Sequence, residues 1–136
     1  MPEKMDVDRF TIVNDFGAVG HAVACADDDH LLPLAGPDQP LPEEGAITVI
    51  GPGTGLGVAI LLRQRGAYHV QATEGGHIDF APRDLIEDAI LSRLRKRHNR
   101  VSLERVVSGP AIVDIYETLA ALESRSIVER GDVAIW

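Results

Sequence analysis

An α/β fold, with a mixed sheet and flanking helices, is what this sequence of 136 residues predicts. Two observations carry that expectation. Apolar, β-branched runs between Ala46 and Thr73 are broken by glycine turns, as in neighbouring strands. Beyond Asp84 the apolar spacing changes to that of helices. Hydrophobic residues make up 45% of the chain, so a core can form, and aromatics only 4%, so it must be aliphatic.

The elements follow in order. Phe10 to Val13 reads as a short buried strand, and Phe16 to Ala26 as a helix. Gly17 and Gly20 argue against that helix, since each glycine costs about 1 kcal/mol. Leu31 to Leu34 is a candidate strand. Gly36 to Gly45 contains three prolines and reads as a loop. Ala46 to Ile50, Leu56 to Arg63 and Tyr68 to Thr73 read as a meander. The middle run is apolar enough for burial on both faces, and Gln64-Arg65-Gly66 is a hairpin signal.

Asp84 can cap a helix from Leu85 to about His98, with Ile86, Ala89, Ile90 and Leu94 on its apolar side. Ser108-Gly109-Pro110 opens another, lined by Ile112, Ile115, Tyr116, Leu119 and Leu122. The apolar tail to Trp136 completes no element and reads as cut.

Composition excludes several functions. A net charge of −8 argues against a nucleic-acid partner, which demands a basic face. The basic group Arg93, Arg95, Lys96, Arg97 and Arg100 therefore reads as a solvated helix end. Cys25 is the single cysteine, which rules out an internal disulfide. No stretch reaches the roughly 18 apolar residues of a membrane span, and no signal-peptide run opens the chain. The expectation is a cytoplasmic protein with no membrane partner.

Four stretches could carry chemistry. Asp15, in Val13-Asn14-Asp15-Phe16, can accept a proton from a substrate hydroxyl if it follows a strand. Asn14 and Asp15 are equally good helix caps. Gly51-Pro52-Gly53-Thr54-Gly55-Leu56-Gly57 places four glycines in seven residues. It is not a P-loop, for no Lys-Ser/Thr pair closes it. Nor is it a dinucleotide fingerprint, because Val58 stands where the third glycine belongs. A phosphate-holding hairpin and a plain tight turn remain.

In Glu74-Gly75-Gly76-His77-Ile78-Asp79, a carboxylate and an imidazole can hydrogen-bond sugar hydroxyls. The rival reading joins Glu74, His77 and Asp79 as metal ligands, and the plain one is a polar turn. Glu104 alone reads as a solvated or ion-paired carboxylate.

Taken in order, VNDFGAV, GPGTGLGVA, EGGHIDFAP and SLERVVSGPAIVDIY resemble the bacterial glucokinases of the actin-like, ribonuclease H-like ATPases. The resemblance runs from about Arg9 to Leu122. It implies ATP-dependent phosphorylation of glucose, with Asp15 as the base on the sugar's 6-hydroxyl. Asn14, Glu74, His77 and Glu104 would bind other hydroxyls, and Gly53, Thr54 and Gly55 would face the ATP phosphates.

It also implies a partial kinase fold. Residues 1–26 would be the end of the small lobe and a hinge helix, and residues 27–136 part of the large sugar-binding lobe. ATP and Mg²⁺ are implied, although the family's Asp-x-Gly-Gly-Thr motif and its adenosine-side glycine segment have no counterpart here. The expectation is a fragment with very weak or no kinase activity. A non-catalytic hexose-binding module and an association piece that forms a homodimer are the alternatives.

Overall fold

The computed structural model describes residues 11–37 and 39–127. Its first helix, α1 (Asp15–Cys25), is followed by a short 3₁₀ turn at Asp28–His30. Strands β1 (Gly45–Pro52), β2 (Leu56–Gln64) and β3 (Ala67–Thr73) come next. Helices α2 (Leu85–Arg95) and α3 (Ala111–Leu122) close the order, with 3₁₀ turns at Gly75–His77 and Leu103–Arg105.

The sheet is a meander in the order β1-β2-β3, and both pairings are antiparallel. Arg65 (φ 52°) and Gly66 (φ 73°) form the β2–β3 link between the paired Gln64 and Ala67. Two consecutive positive φ values match the twist of a two-residue hairpin turn. The sheet is therefore the expected α/β component with helices beside it, and all its described pairings are antiparallel.

α1 lies on one face of the sheet. Its buried residues are the two glycines that weaken it as an isolated helix, Gly17 and Gly20. A Cβ on Gly20 would stand 2.6 Å from Val70 Cγ1. The missing side chains are thus what lets the helix backbone approach β3. Beneath it Val49, Ala59 and Leu61 form a core with Phe16, Val23 and Val70 packed against them. β2 is the central strand but is not sealed on both faces as its run suggests: Ala59 and Leu61 are fully buried, whereas Leu62 is 45% exposed.

A second core joins α2 to α3 through Ile90, Leu91, Leu94 and Val101, with Phe80, Val106 and Ile115 around it. Asp84 caps α2 as expected, its Oδ1 accepting the Glu87 N–H at 2.9 Å. α2 ends at Arg95, three residues early, where Lys96 and Arg97 donate to Arg93 and Leu94 in tightened turns. α3 keeps only part of its expected face. Ala111 and Thr118 are buried and Ile115 packs on the core, whereas Leu119 and Leu122 are exposed.

Two expected strands are absent. Thr11–Val13 and Leu31–Leu34 are irregular, with Leu32 and Leu34 about four-fifths exposed or more. No described strand pairs with either, and an extended segment without a ladder has no hydrogen-bonding reason to persist. Phe10 and the tail beyond residue 127 lie outside the described residues.

Candidate functional site

The glycine-rich segment is the link between β1 and β2. Pro52 pairs with Leu56, and Gly53 N–H donates to Gly55 O at 2.8 Å across a three-residue tip. Its four glycines do different jobs. A Cβ on Gly51 would fall 2.3 Å from the Phe16 ring, and one on Gly57 1.8 Å from it. A Cβ on Gly55 would fall 2.3 Å from Glu104 Oε2. Gly53 alone faces open space, with nothing within 4 Å of the added atom. Three of the four are therefore needed by packing, and one is left free for a ligand.

Asn14 and Asp15 open α1. Asn14 is its N-cap, and Asn14 Oδ1 accepts the Gly17 N–H at 2.5 Å. That use leaves its amide nitrogen as the remaining polar end. Asp15 is the first helical residue and is exposed, with Oδ1 accepting the Phe16 N–H at 2.8 Å. The cap reading and the ligand reading of this pair thus divide between two residues. The backbone ahead of Asp15 is irregular instead of the expected strand.

Glu74 and His77 share the turn that follows β3. His77 Nε2 lies 3.4 Å from Glu74 Oε2, and both side chains are mainly exposed. Gly76 lets this turn sit directly on β2, since a Cβ there would be 2.3 Å from Leu56 O. Thr73 Oγ1 braces it, donating to Val58 O at 3.0 Å and accepting the Gly75 N–H at 3.2 Å.

Asp79 turns away from Glu74 and His77. It accepts Arg100 Nε at 2.5 Å, while Arg100 Nη2 donates to His77 O at 2.8 Å. Glu74, His77 and Asp79 are thus not assembled as a common ligand set. Among the described residues, no group of three or more His, Cys, Asp or Glu side chains is placed to hold a metal ion.

Glu104 is not a solvated carboxylate. Its Oε2 accepts the Leu56 N–H at 3.0 Å, which ties the Leu103–Arg105 turn to the start of β2. Gly109 N–H donates to Gly53 O at 2.8 Å and makes a second tie. Beside the second tie lies a cavity of about 600 Å³, lined by Gly53, Thr54, Val107, Ser108, Pro110 and Ile112.

Three segments that carry expected site residues therefore touch the glycine-rich end of the β1–β2 hairpin. Gly76, between Glu74 and His77, sits against Leu56 O, Glu104 holds Leu56 N, and Phe16, next to Asp15, lies on Gly51 and Gly57. Sequence reasoning gave no role to Phe16, Thr73 or Arg100. Only Phe16 left a signal, as an aromatic residue beside Asp15 in a chain with three phenylalanines. The basic group also differs from a solvated helix end. Arg93 pairs with Asp114 and Glu117, and Arg97 with Asp114.

Comparison with known proteins adds an independent finding. The family model described as Glucokinase matches residues 1–135. The glucokinase of Zymomonas mobilis is 56% identical over 134 residues, covering 98% of this chain and 41% of its own length. That of a Nostoc species is 43% identical over 122 residues, covering 88% of this chain and 35% of its own. The crystal structure of a glucokinase from an Antarctic psychrotroph matches 87% of this chain and 36% of its own, with 37% identity and a TM-score of 0.71. A glucokinase of Balamuthia mandrillaris, solved in complex with glucose, matches 80% of this chain at 26% identity, with a TM-score of 0.58. The chain spans about two fifths of the length of the curated relatives it matches.

Proposed function

The chain belongs to the glucokinase family, and from that premise we propose that its residues form the sugar cradle and proton acceptor of an ATP-dependent glucokinase. On this reading residues 1–26 end the small lobe and residues 27–136 belong to the sugar-binding lobe. The observation that supports the reading is that Glu104, the Gly75–Gly76 turn between Glu74 and His77, and Phe16 beside Asp15 all pack on the hairpin end from Gly51 to Val58.

Each group has a part. Asp15 accepts the proton of the sugar's 6-hydroxyl as that oxygen attacks the γ-phosphate, and its exposed carboxylate is free to do so. Asn14 donates through its amide nitrogen. Glu74 and His77 bind vicinal hydroxyls near the anomeric end, and Glu104 uses the oxygen not spent on Leu56. Gly53 and Thr54 face the ATP phosphates, where the bare Cα of Gly53 allows close approach. A complex with glucose is described for the Balamuthia relative, which favours the same ligand here.

The test is calorimetric titration of this chain with glucose and with a sugar lacking the 2-hydroxyl. Glucose is expected to bind, and the deoxy sugar to bind about 5- to 100-fold more weakly, the cost of an unpaired polar group. Asp15→Asn is expected to fold as stably as the native chain. Absence of selective glucose binding would refute the sugar cradle in this chain.

A further inference from the structure

The Phe16 ring sits where two glycines oppose each other. Gly51 and Gly57 are direct cross-strand partners at the end of the β1–β2 ladder. Opposed residues of an antiparallel pair normally bring their Cβ atoms to about 5 Å. Two glycines there leave a bare platform, and an aromatic ring laid on such a platform restores the missing packing. The fit is close on both sides, since a Cβ on Gly57 would lie within 2.4 Å of three ring atoms, and one on Gly51 within 3.3 Å of three.

We infer that Phe16 is a positioning residue: its ring, seated on Gly51 and Gly57, fixes the Asn14–Asp15 turn relative to the phosphate-facing tip at Gly53–Thr54. The function of this seat rests on the reading of Asp15 and the hairpin given above. Gly51 and Gly57 then serve the ring and not a phosphate, and only Gly53 of the four has its Cα side open to a ligand.

Three facts make the seat a positioning device as well as a packing contact. Phe16 is the second residue of α1 and accepts no freedom from its neighbour, because its own N–H is held by Asp15 Oδ1. Farther along α1, Gly20 rests on Val70 of β3, so the helix is pinned at a second point. Gly51 and Gly57 are also within two residues of Gly53 and Gly55, the tip itself. Displacements near 1 Å between a base and its reacting partner cost on the order of 10²-fold in rate. A ring that joins the residue after Asp15 to the two glycines flanking the tip is therefore a means of holding that distance.

The test uses the whole chain with Phe16→Ala, Phe16→Leu, Gly57→Ala and the double variant Phe16→Ala/Gly57→Ala. Val23→Ala, in the same core but at the other end of α1, is the control. Gly57→Ala is expected to raise the unfolding constant roughly 10- to 100-fold by overpacking, and to have little effect once the ring is removed.

Backbone amide shifts separate positioning from packing. Phe16→Leu should move the resonances of Asn14 and Asp15 together with those of Thr54 and Gly55, and Val23→Ala should move neither group. Glucose affinity should fall roughly tenfold or more with Phe16→Leu, and not with Val23→Ala.

An equal effect of Gly57→Ala with and without the ring would overturn the seat. Amide shifts confined to residues 14–17 would overturn the positioning role. If the native chain binds no glucose, the sugar reading falls, whereas the double-variant cycle and the amide shifts still decide the seat.

Discussion

Glu104→Ala removes the one side chain that ties the start of β2 to the turn at Leu103–Arg105. Glu104 Oε2 accepts the Leu56 N–H at 3.0 Å, and Leu56 is 7% exposed. Water cannot readily replace the carboxylate there. A buried N–H left without an acceptor costs about 1–3 kcal/mol. The carboxylate also stands where a Gly55 side chain would be, so truncation opens a gap as well. The expected loss is about 2 kcal/mol, which for a chain of this size lowers Tm by roughly 6–8 °C.

Glu104→Gln separates acceptor from charge. Its carbonyl can still accept from Leu56, so the stability loss should stay near 1 kcal/mol, because charge-assisted bonds are about twice as strong as neutral ones. Its amide nitrogen, however, replaces the oxygen proposed to accept from the sugar. Glucose affinity should therefore fall about tenfold while the fold is largely kept.

The assay is equilibrium urea unfolding, with amide hydrogen exchange followed at Leu56. If Glu104→Ala unfolds within about 0.5 kcal/mol of the native chain and Leu56 exchanges at the native rate, the tie has no energetic weight and the reasoning fails.

Other expectations follow from single contacts. Gly20→Ala should destabilise despite a helix-propensity gain of about 1 kcal/mol, because the new methyl meets Val70 Cγ1 at 2.6 Å. Adding Val70→Ala should recover much of that loss in a thermal melt, and no recovery would place the cost elsewhere. Asp114→Asn removes the shared partner of Arg93 and Arg97 between α2 and α3, and should cost about 1–3 kcal/mol in urea unfolding. An unchanged midpoint would mean that Glu117 alone holds Arg93. The Cys25 thiol, 3.7 Å from Tyr68 Oη, raises the Tyr68 phenol above its ordinary range, mainly through their hydrogen bond. A raised value favours the protonated phenol in the fold, so this contribution is present below the ordinary phenol pKa and lost as pH rises through the folded value. Cys25→Ala should lower the Tyr68 midpoint in an ultraviolet titration, and an unmoved midpoint would refute the contact.

What could be read from the sequence depended on how local its cause was. The β2–β3 turn is fixed by Arg65 and Gly66 themselves, and the start of α2 by Asp84 acting on Glu87, so both were legible. Glu74 and His77 are three residues apart in one turn, and their pairing needs only that turn. Leu31–Leu34 has strand composition, but a strand is made by its partner, and no described strand pairs with it. The buried face of α3 was partly misjudged for a related reason. Its sequence, AIVDIYETLAAL, is apolar on more than one side, and contact with α2 selects the side holding Ala111, Ile115 and Thr118. Arg93 and Arg97 read as solvated because their acidic partners lie on α3, about 20 residues away.

The glycine-rich segment shows why counting a residue type does not give its cause. Four glycines in seven suggested one purpose, a backbone opened to phosphate. In the fold they fall into three groups. Gly51 and Gly57 yield to a ring from α1, Gly55 yields to a carboxylate from the Leu103–Arg105 turn, and Gly53 yields to nothing described. The first two groups answer to residues more than 30 positions away in sequence, so no local pattern could assign them. They also explain how Glu104, and Phe16 next to Asp15, come to lie against the same short hairpin end. Gly51, Gly55 and Gly57 each omit a side chain where Phe16 or Glu104 lands, and those two elements carry Asp15 and Glu104. The bare Cα atoms of Gly51, Gly55 and Gly57 are therefore what lets Phe16 and Glu104 pack on the hairpin, and alanine at those positions should disturb that packing more than alanine at Gly53.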